Sequence, residues 1–220
     1  MTSPGAPERD QALRRQLERY SVRFNDAFWE FFYAKVQPLL PKTPVLVDLG
    51  SGPGLFLRDV SSRIPDARLH GVDQATDMIE NARSLEYAGE PPTLALHDIA
   101  ADPLPLADVS VDLLCIAAVM HTFQDPFRFL DEVRRVLAPN GLFLLYDWIR
   151  VPFEEYIAYR QREPGDPEEL RYPRALELFA THNKYTADDW RWILAQGRYE
   201  IVAASSPYPR ARVFLCRAAS

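Results

Sequence analysis

Val45-Leu-Val-Asp-Leu-Gly-Ser-Gly-Pro-Gly54 runs from a short apolar segment straight into three glycines. The whole chain of 220 residues holds only nine glycines, below an average share of roughly 7%. Spending a third of them at one point predicts a strand followed by a loop whose backbone needs freedom that other residues lack. Behind the loop, Leu57, Val60 and Ile64 keep helical spacing, so Leu55 to Ile64 reads as a helix. A strand, a glycine turn and a helix N-terminus aim N–H groups at one place, which suits a nucleotide-like ligand, although glycine turns also serve packing alone. No Gly-Lys-Ser/Thr follows, which excludes a P-loop. Leu55 stands where the dinucleotide fingerprint needs its third glycine, which weakens an NAD-dependent oxidoreductase.

Alternation continues downstream. Leu69–Asp73 reads as a strand, Ala75–Ala88 as a helix and Thr93–Asp98 as a strand. Val111–Met120 is the most apolar strand. Asp125 is placed to N-cap a helix opening on Pro126, with Phe129, Leu130, Val133, Val136 and Leu137 on one face. Pro139-Asn-Gly141 then turns into the strand Leu142–Ile149. This pattern predicts an α/β fold, a doubly wound and mostly parallel sheet with helices on both faces. Thr186-Ala-Asp-Asp189 fits a capping box, with Gly197 closing that helix. Tyr199–Ala204 and Arg212–Arg217 read as an antiparallel pair at the C-terminal sheet edge, bringing the sheet to seven strands.

Ahead of the glycine loop, residues 1–9 read as frayed, and a helical pattern from Asp10 to about Val36 puts Phe24, Phe28, Phe31 and Phe32 on one face. Residues 1–44 are therefore expected to form a helical segment covering the cleft, and residues 45–220 the main domain. Charge excludes other classes: 25 basic against 31 acidic residues lacks the basic excess of a nucleic-acid binder. No apolar run reaches the ~20 residues of a membrane helix. The opening ten residues lack a signal-peptide core, and Cys115 and Cys216 read as isolated reduced core thiols, so a cytoplasmic location is expected. No His, Cys or acidic cluster has metal-ligand spacing, and no metal is expected.

The segment Val45–Gly54, with Asp48 two residues before a Gly-x-Gly-x-Gly, resembles motif I of the class I S-adenosylmethionine (SAM) dependent methyltransferases. Asp112-Leu-Leu-Cys-Ile-Ala117 is similar to that family's fourth strand. Glu132–Leu142 is similar to its helix-to-fifth-strand signature, with one glycine where the family usually has two. The resemblance implies SAM as cofactor and S-adenosylhomocysteine as product. It implies a cofactor site of Asp48, Gly50, Ser51, Gly52, Gly54, Asp73, Gln74, Met78, Asp98, Ile99 and Ala117. In it Asp73 accepts from the ribose hydroxyls, Asp98 from the adenine amino group, and Ile99 lies against the ring; Asp48 acts indirectly on the loop and the cofactor's ammonium group. Read alone, Asp73 and Asp98 could also be turn formers.

The resemblance leaves the acceptor open. Ala117-Ala-Val-Met-His-Thr122 follows the fourth strand in place of the Asp/Asn-Pro-Pro-Tyr/Phe of nucleobase methyltransferases, which favours a small-molecule acceptor. His121 stands where related enzymes often face the acceptor, either as a base or as a hydrogen-bonded wall residue. Residues 150–185 fall where this family often inserts a helical lid. Tyr156, Arg160, Arg174, His182 and Tyr185, with Tyr146 at the end of the fifth strand, are candidates for binding an aromatic or carboxylate-bearing acceptor. The same segment also reads as a solvated amphipathic helix pair. A SAM-binding protein that transfers no methyl group shares every cofactor residue and stays the alternative function; the oligomeric state is undetermined.

Overall fold

The computed structural model describes residues 17–162 and 168–219, and side chains at 161–171 lie outside that description. Expectations for residues 1–16, the frayed start among them, therefore fall outside the described residues. Seven strands form one sheet: β1 (Val45–Leu49), β2 (Arg68–Asp73), β3 (Thr93–Leu96), β4 (Val111–Ala117), β5 (Leu137–Trp148), β6 (Tyr199–Ser205) and β7 (Ala211–Ala218). Their order is β3-β2-β1-β4-β5-β7-β6. Strands β1 to β5 pair in parallel, while β7 runs antiparallel between β5 and β6. The doubly wound fold holds, with the C-terminal strand one place in from the edge and β6 at the rim. The chain winds outward from β1 to β3, then crosses back to β4, so the carboxyl ends of β1 and β4 flank the switch point where open α/β sheets take ligands.

The apolar strands are uniform because both faces are buried. Along β4, Leu113 and Cys115 enter one core layer and Leu114 and Ile116 the other. Helices α5 (Pro126–Val136) and α8 (Ala187–Gln196) cover the second layer through Phe129, Leu130, Val133, Trp190 and Leu194. Asp125 Oδ1 accepts from the Phe127 and Arg128 N–H groups, capping α5 as expected. Thr186 and Asp189 form the reciprocal box on α8. Helices α3 (Leu55–Arg63) and α4 (Thr76–Ser84) follow β1 and β2. Cys115 and Cys216 are buried free thiols, one in each layer.

Several expected elements have different bounds: α4 stops at Ser84 rather than Ala88, and β3 at Leu96 rather than Asp98. Strand β5 starts at Leu137, through the expected turn at Pro139-Asn-Gly141. Its register against β4 slips between Val111 and Leu113, and Asn140 takes a φ of 67°. A Cβ on Gly141 would meet the Ala138 and Val111 carbonyl oxygens at 2.8 Å, so the bulge needs glycine there. Strand β4 stops at Ala117, and Met120–Thr122 form a 3₁₀ turn.

The expected continuous N-terminal helix is broken. A helix α1 (residues 17–23) ends at Phe24, and Asn25 starts a new helix, α2 (Asp26–Phe31), by accepting from the Phe28 N–H at 3.1 Å. The Asn25 amide also donates to the Pro207 carbonyl at 2.9 Å, tying the break to the β6–β7 connection. The aromatic stripe packs inward: Phe24 stacks on Phe56 of α3 at 4.9 Å and Phe28 on Tyr146 of β5 at 5.5 Å. After β5 come helices α6 (Phe153–Arg162) and α7 (Glu168–His182), with Tyr156, Ile157, Ala175 and Phe179 as a small core of that insertion. Asn183 closes its neck by exchanging two hydrogen bonds with the Val151 backbone at 2.9 Å.

Phe28 is fully buried between the stripe and Tyr146. Replacing it with alanine is expected to cost about 3–5 kcal/mol, read as a lower urea midpoint at unchanged m. Phe28→Leu is expected to cost less than half of that.

Candidate functional site

Three left-handed glycines shape the loop after β1, with φ of 70° at Gly50, 54° at Gly52 and 82° at Gly54. The Gly50 and Ser51 N–H groups both donate to the Val72 carbonyl, at 2.8 and 3.0 Å, and the Gly52 N–H donates to Asp73 Oδ2 at 2.8 Å. Asp73 Oδ1 accepts from the Ala75 N–H at 2.9 Å. One carboxylate thus ties the glycine loop to the start of α4.

The three glycines do different work. A Cβ on Gly50 would lie 2.6 Å from Val119 Cγ2, and one on Gly54 would lie 2.8 Å from Ala82 Cβ. A Cβ on Gly52 would meet nothing within 4 Å and would stand in open space. That space belongs to a cleft of about 420 Å³ lined by Gly50, Gly52, Asp73, Gln74, Met78, Asp98, Ile99 and Ala117, together with Arg23, Ala118 and Thr122. Asp48 and Ser51 border a narrow crevice at its floor, beside the same glycines. Of the expected cofactor residues, only Gly54 lies away from the lining, at the N-cap of α3.

Several polar groups here lack protein partners. Ser51 Oγ is buried without a hydrogen bond. Asp48 is buried and accepts no hydrogen bond among the described residues. Burial, helped by the nearby Asp73 charge and opposed by Arg23, pushes its carboxyl up to about 8. Asp73 is also raised, chiefly by burial, against the backbone bonds that favour its charge. A cleft floored by an unpartnered acid, with the unpartnered Ser51 hydroxyl on its loop and acids at two strand ends, fits a cationic nucleoside. SAM has that character, and the residues present fit it.

A second chamber of about 280 Å³ adjoins the first and shares Arg23 and Ala118 with it. Its walls come from α1 (Arg19, Val22), β5 (Tyr146, Asp147, Trp148), α6 (Tyr159) and the β6–β7 connection (Tyr208). Ala118, between the two spaces, has a φ of 55°, a strained value for a non-glycine residue, while its N–H donates to the Tyr146 carbonyl at 2.8 Å. The Tyr146 hydroxyl donates to the Arg23 carbonyl at 2.9 Å, fixing α1 over β5.

The expected acceptor residues separate. Tyr146 lines the chamber. His121 is 3% exposed and lines neither space. Its Nδ1 meets Asp147 Oδ1 at 2.7 Å, its backbone N–H donates to Asp147 Oδ2 at 3.0 Å, and its Nε2 has no partner. His182 meets the His121 ring edge-on at 5.1 Å, and burial, with His121 beside it, holds its pKa down to about 3. Tyr156 is buried in the insertion's own core and under the Arg210 guanidinium, which lies 4.6 Å from its ring. Arg160 is buried, Tyr185 packs on Trp190, and Arg174 is exposed on α7. None of these five lines the chamber. Sequence reasoning passed over Arg19, Arg23, Trp148 and Tyr208, which do line it. No group of residues that could hold a metal ion occurs among the described residues.

The glycine geometry separates binding from folding. Gly52→Ala is expected to keep the fold, within about 1–2 kcal/mol of strain, and to weaken SAM binding at least tenfold by calorimetry. Gly54→Ala is expected to lower the melting temperature markedly, because its methyl strikes α4.

Residues 47–145 match the family model described as a methyltransferase domain. The malonyl-[acyl-carrier protein] O-methyltransferase of Xylella fastidiosa is 32% identical over 100 residues, covering 46% of this chain and 33% of that protein. The chain spans about a third of the length of the first curated relatives it matches. A SAM-dependent methyltransferase from Aquifex aeolicus shares the fold at a TM-score of 0.67 and 17% identity, over 94% of this chain and 97% of that one. The plantazolicin methyltransferase BpumL, solved with a monoazolic desmethylPZN analog and S-adenosylhomocysteine (SAH), does so at 0.74 and 16%, over 98% and 91%. Among the described residues no helix is long and apolar enough to cross a membrane. Residues 47–145 thus match a methyltransferase domain, and the sheet order and the cleft at the switch point share the fold of the SAM-dependent methyltransferases.

Proposed function

We propose that this chain transfers a methyl group from SAM to a small-molecule acceptor held in the chamber beside the cofactor cleft. One observation carries the reading: the two spaces meet at Ala118 and Arg23, so ligands in each lie side by side. When bound, SAM supplies a methyl group already activated on a sulfonium. The protein's part is placement. Asp73 has lone pairs left after its two backbone bonds and takes the ribose hydroxyls; Asp98 and Ile99 take the adenine; Gln74 and Met78 flank the nucleoside. Gly50, Ser51 and Gly52 border the amino-acid end, where Asp48 meets the positive charge. Gly54 acts indirectly, by letting α3 and α4 pack closely.

Small side chains at Ala117 and Ala118 keep the passage between the spaces open. Helix α1 and the inserted helix α6 wall the acceptor off from water, which strengthens every charge interaction inside. His121 serves as a positioning residue, since both of its bonds hold the Asp147 carboxylate that borders the chamber. The Trp148 N–H donates to the same carboxylate at 2.7 Å.

Incubation with methyl-labelled SAM and pooled low-molecular-weight acceptors is expected to move label into one small product and to release SAH. Saturable SAM binding with no label transfer would favour a SAM-binding protein that is not a methyltransferase.

The Asp48 carboxyl adds a pH signature. In the ligand-free fold it binds its proton more tightly than in the unfolded chain, whose aspartates titrate near 3.9. Its contribution to stability is therefore present below that value and lost as pH rises toward about 8. Asp48→Asn is expected to raise the melting temperature of the ligand-free protein by a few degrees at pH 8. A cationic ligand must expel that proton, so SAM affinity is expected to rise at least tenfold from pH 5.5 to pH 7.5 in the wild type. In Asp48→Asn that slope is expected to vanish.

A further inference from the structure

We infer that Arg23 is a carboxylate-recognising residue in the acceptor chamber, and that the acceptor is a small aromatic acid. The inference rests on the methyltransferase reading above and gives its acceptor a chemical class. Arg23 is half-buried, lines both spaces and the crevice beside the glycine loop, and makes no hydrogen bond or ion pair through its guanidinium among the described residues. Its Nε is fully enclosed without a partner, and its guanidinium carbon lies 5.8 Å from the centre of the Trp148 ring. A guanidinium partly withdrawn from water with its hydrogen bonds unmade is costly, and its planar fork matches a carboxylate in two-point geometry.

No described residue supplies that carboxylate. Asp147 is the one acid lining the chamber, and its two oxygens accept from His121 Nδ1, the His121 N–H and the Trp148 N–H. Two further cations stand at or near the chamber. Arg19 adds a second lining cation, and the buried Arg210 lies behind the ring wall, 4.4 Å from Tyr159 and 5.8 Å from Trp148. The remaining wall is aromatic. Tyr159 and Tyr208 meet edge-on at 5.6 Å, and Trp148 meets Tyr208 at 6.3 Å, so ring edges and faces surround the space. A volume of about 280 Å³ falls at the small end of ligand sites and suits one or two rings.

A carboxylate can reach Arg23 from two sources, because the cofactor's amino-acid end carries one too. The test uses calorimetric titration of the full chain with SAH, and then, with SAH saturating, with one-ring and two-ring aromatic acids and their neutral amides, starting from 4-hydroxybenzoate and 4-hydroxybenzamide. The wild type is expected to bind an acid at least tenfold more tightly than its amide. Arg23→Gln is expected to abolish that preference, and Arg23→Lys to restore it in part. No preference for acid over amide anywhere in the panel would overturn the inference. So would a tenfold loss of SAH affinity in Arg23→Gln with the acid preference intact, which would assign Arg23 to the cofactor's carboxylate. Failure of the wild type to bind SAH at all would instead overturn the cofactor site.

Discussion

The Asp73 carboxylate holds the site together. By accepting from Gly52 on one oxygen and Ala75 on the other, it joins the loop after β1 to the helix after β2. The loop needs that tie, since three residues within five positions hold positive φ. Only glycine takes such values cheaply, and its conformational freedom must be quenched by bonds elsewhere. The Val72 carbonyl, accepting twice, does so from the neighbouring strand. A parallel pairing of β1 and β2 is therefore part of the binding apparatus as well as the core.

A second constraint couples the N-terminal helices to β5. Phe24, Phe28 and Trp29 pack on Phe56 and Tyr146, and the Tyr146 hydroxyl reaches back to the Arg23 carbonyl. Burial of this stripe sets the place of α1, and α1 carries Arg19 and Arg23 to the chamber wall. Asn25 is needed for the same reason. A helix continued through it could not both lay the phenylalanines on α3 and turn α1 across the end of β5. Packing energy thus fixes the position of two charges that add nothing to the core themselves.

These relations explain what could be read in advance. Strands buried on both faces announce themselves as apolar runs, and a β/α repeat places Asp48, Asp73 and Asp98 at or just past the carboxyl ends of β1, β2 and β3 with no knowledge of packing. The capping groups of α5 and α8 are local and were equally legible. The acceptor side is not local. Arg23 and Tyr146 are separated by 123 positions, and Tyr208 reaches the chamber from a connection flanked by prolines. Composition pointed to the aromatic and basic insertion, yet Tyr156 and Arg160 are buried in it and Arg174 faces outward. The break at Asn25 escaped because Phe24, Phe28 and Phe31 keep helical spacing across it.

The central claim is that the glycine loop and the acids at the strand ends form a site for SAM. Equilibrium titration of the wild-type protein with SAM, and separately with NAD, tests it most directly. The account predicts saturable one-to-one binding of SAM, displaced by SAH, and no measurable affinity for NAD. Tight NAD binding with no response to SAM would contradict it.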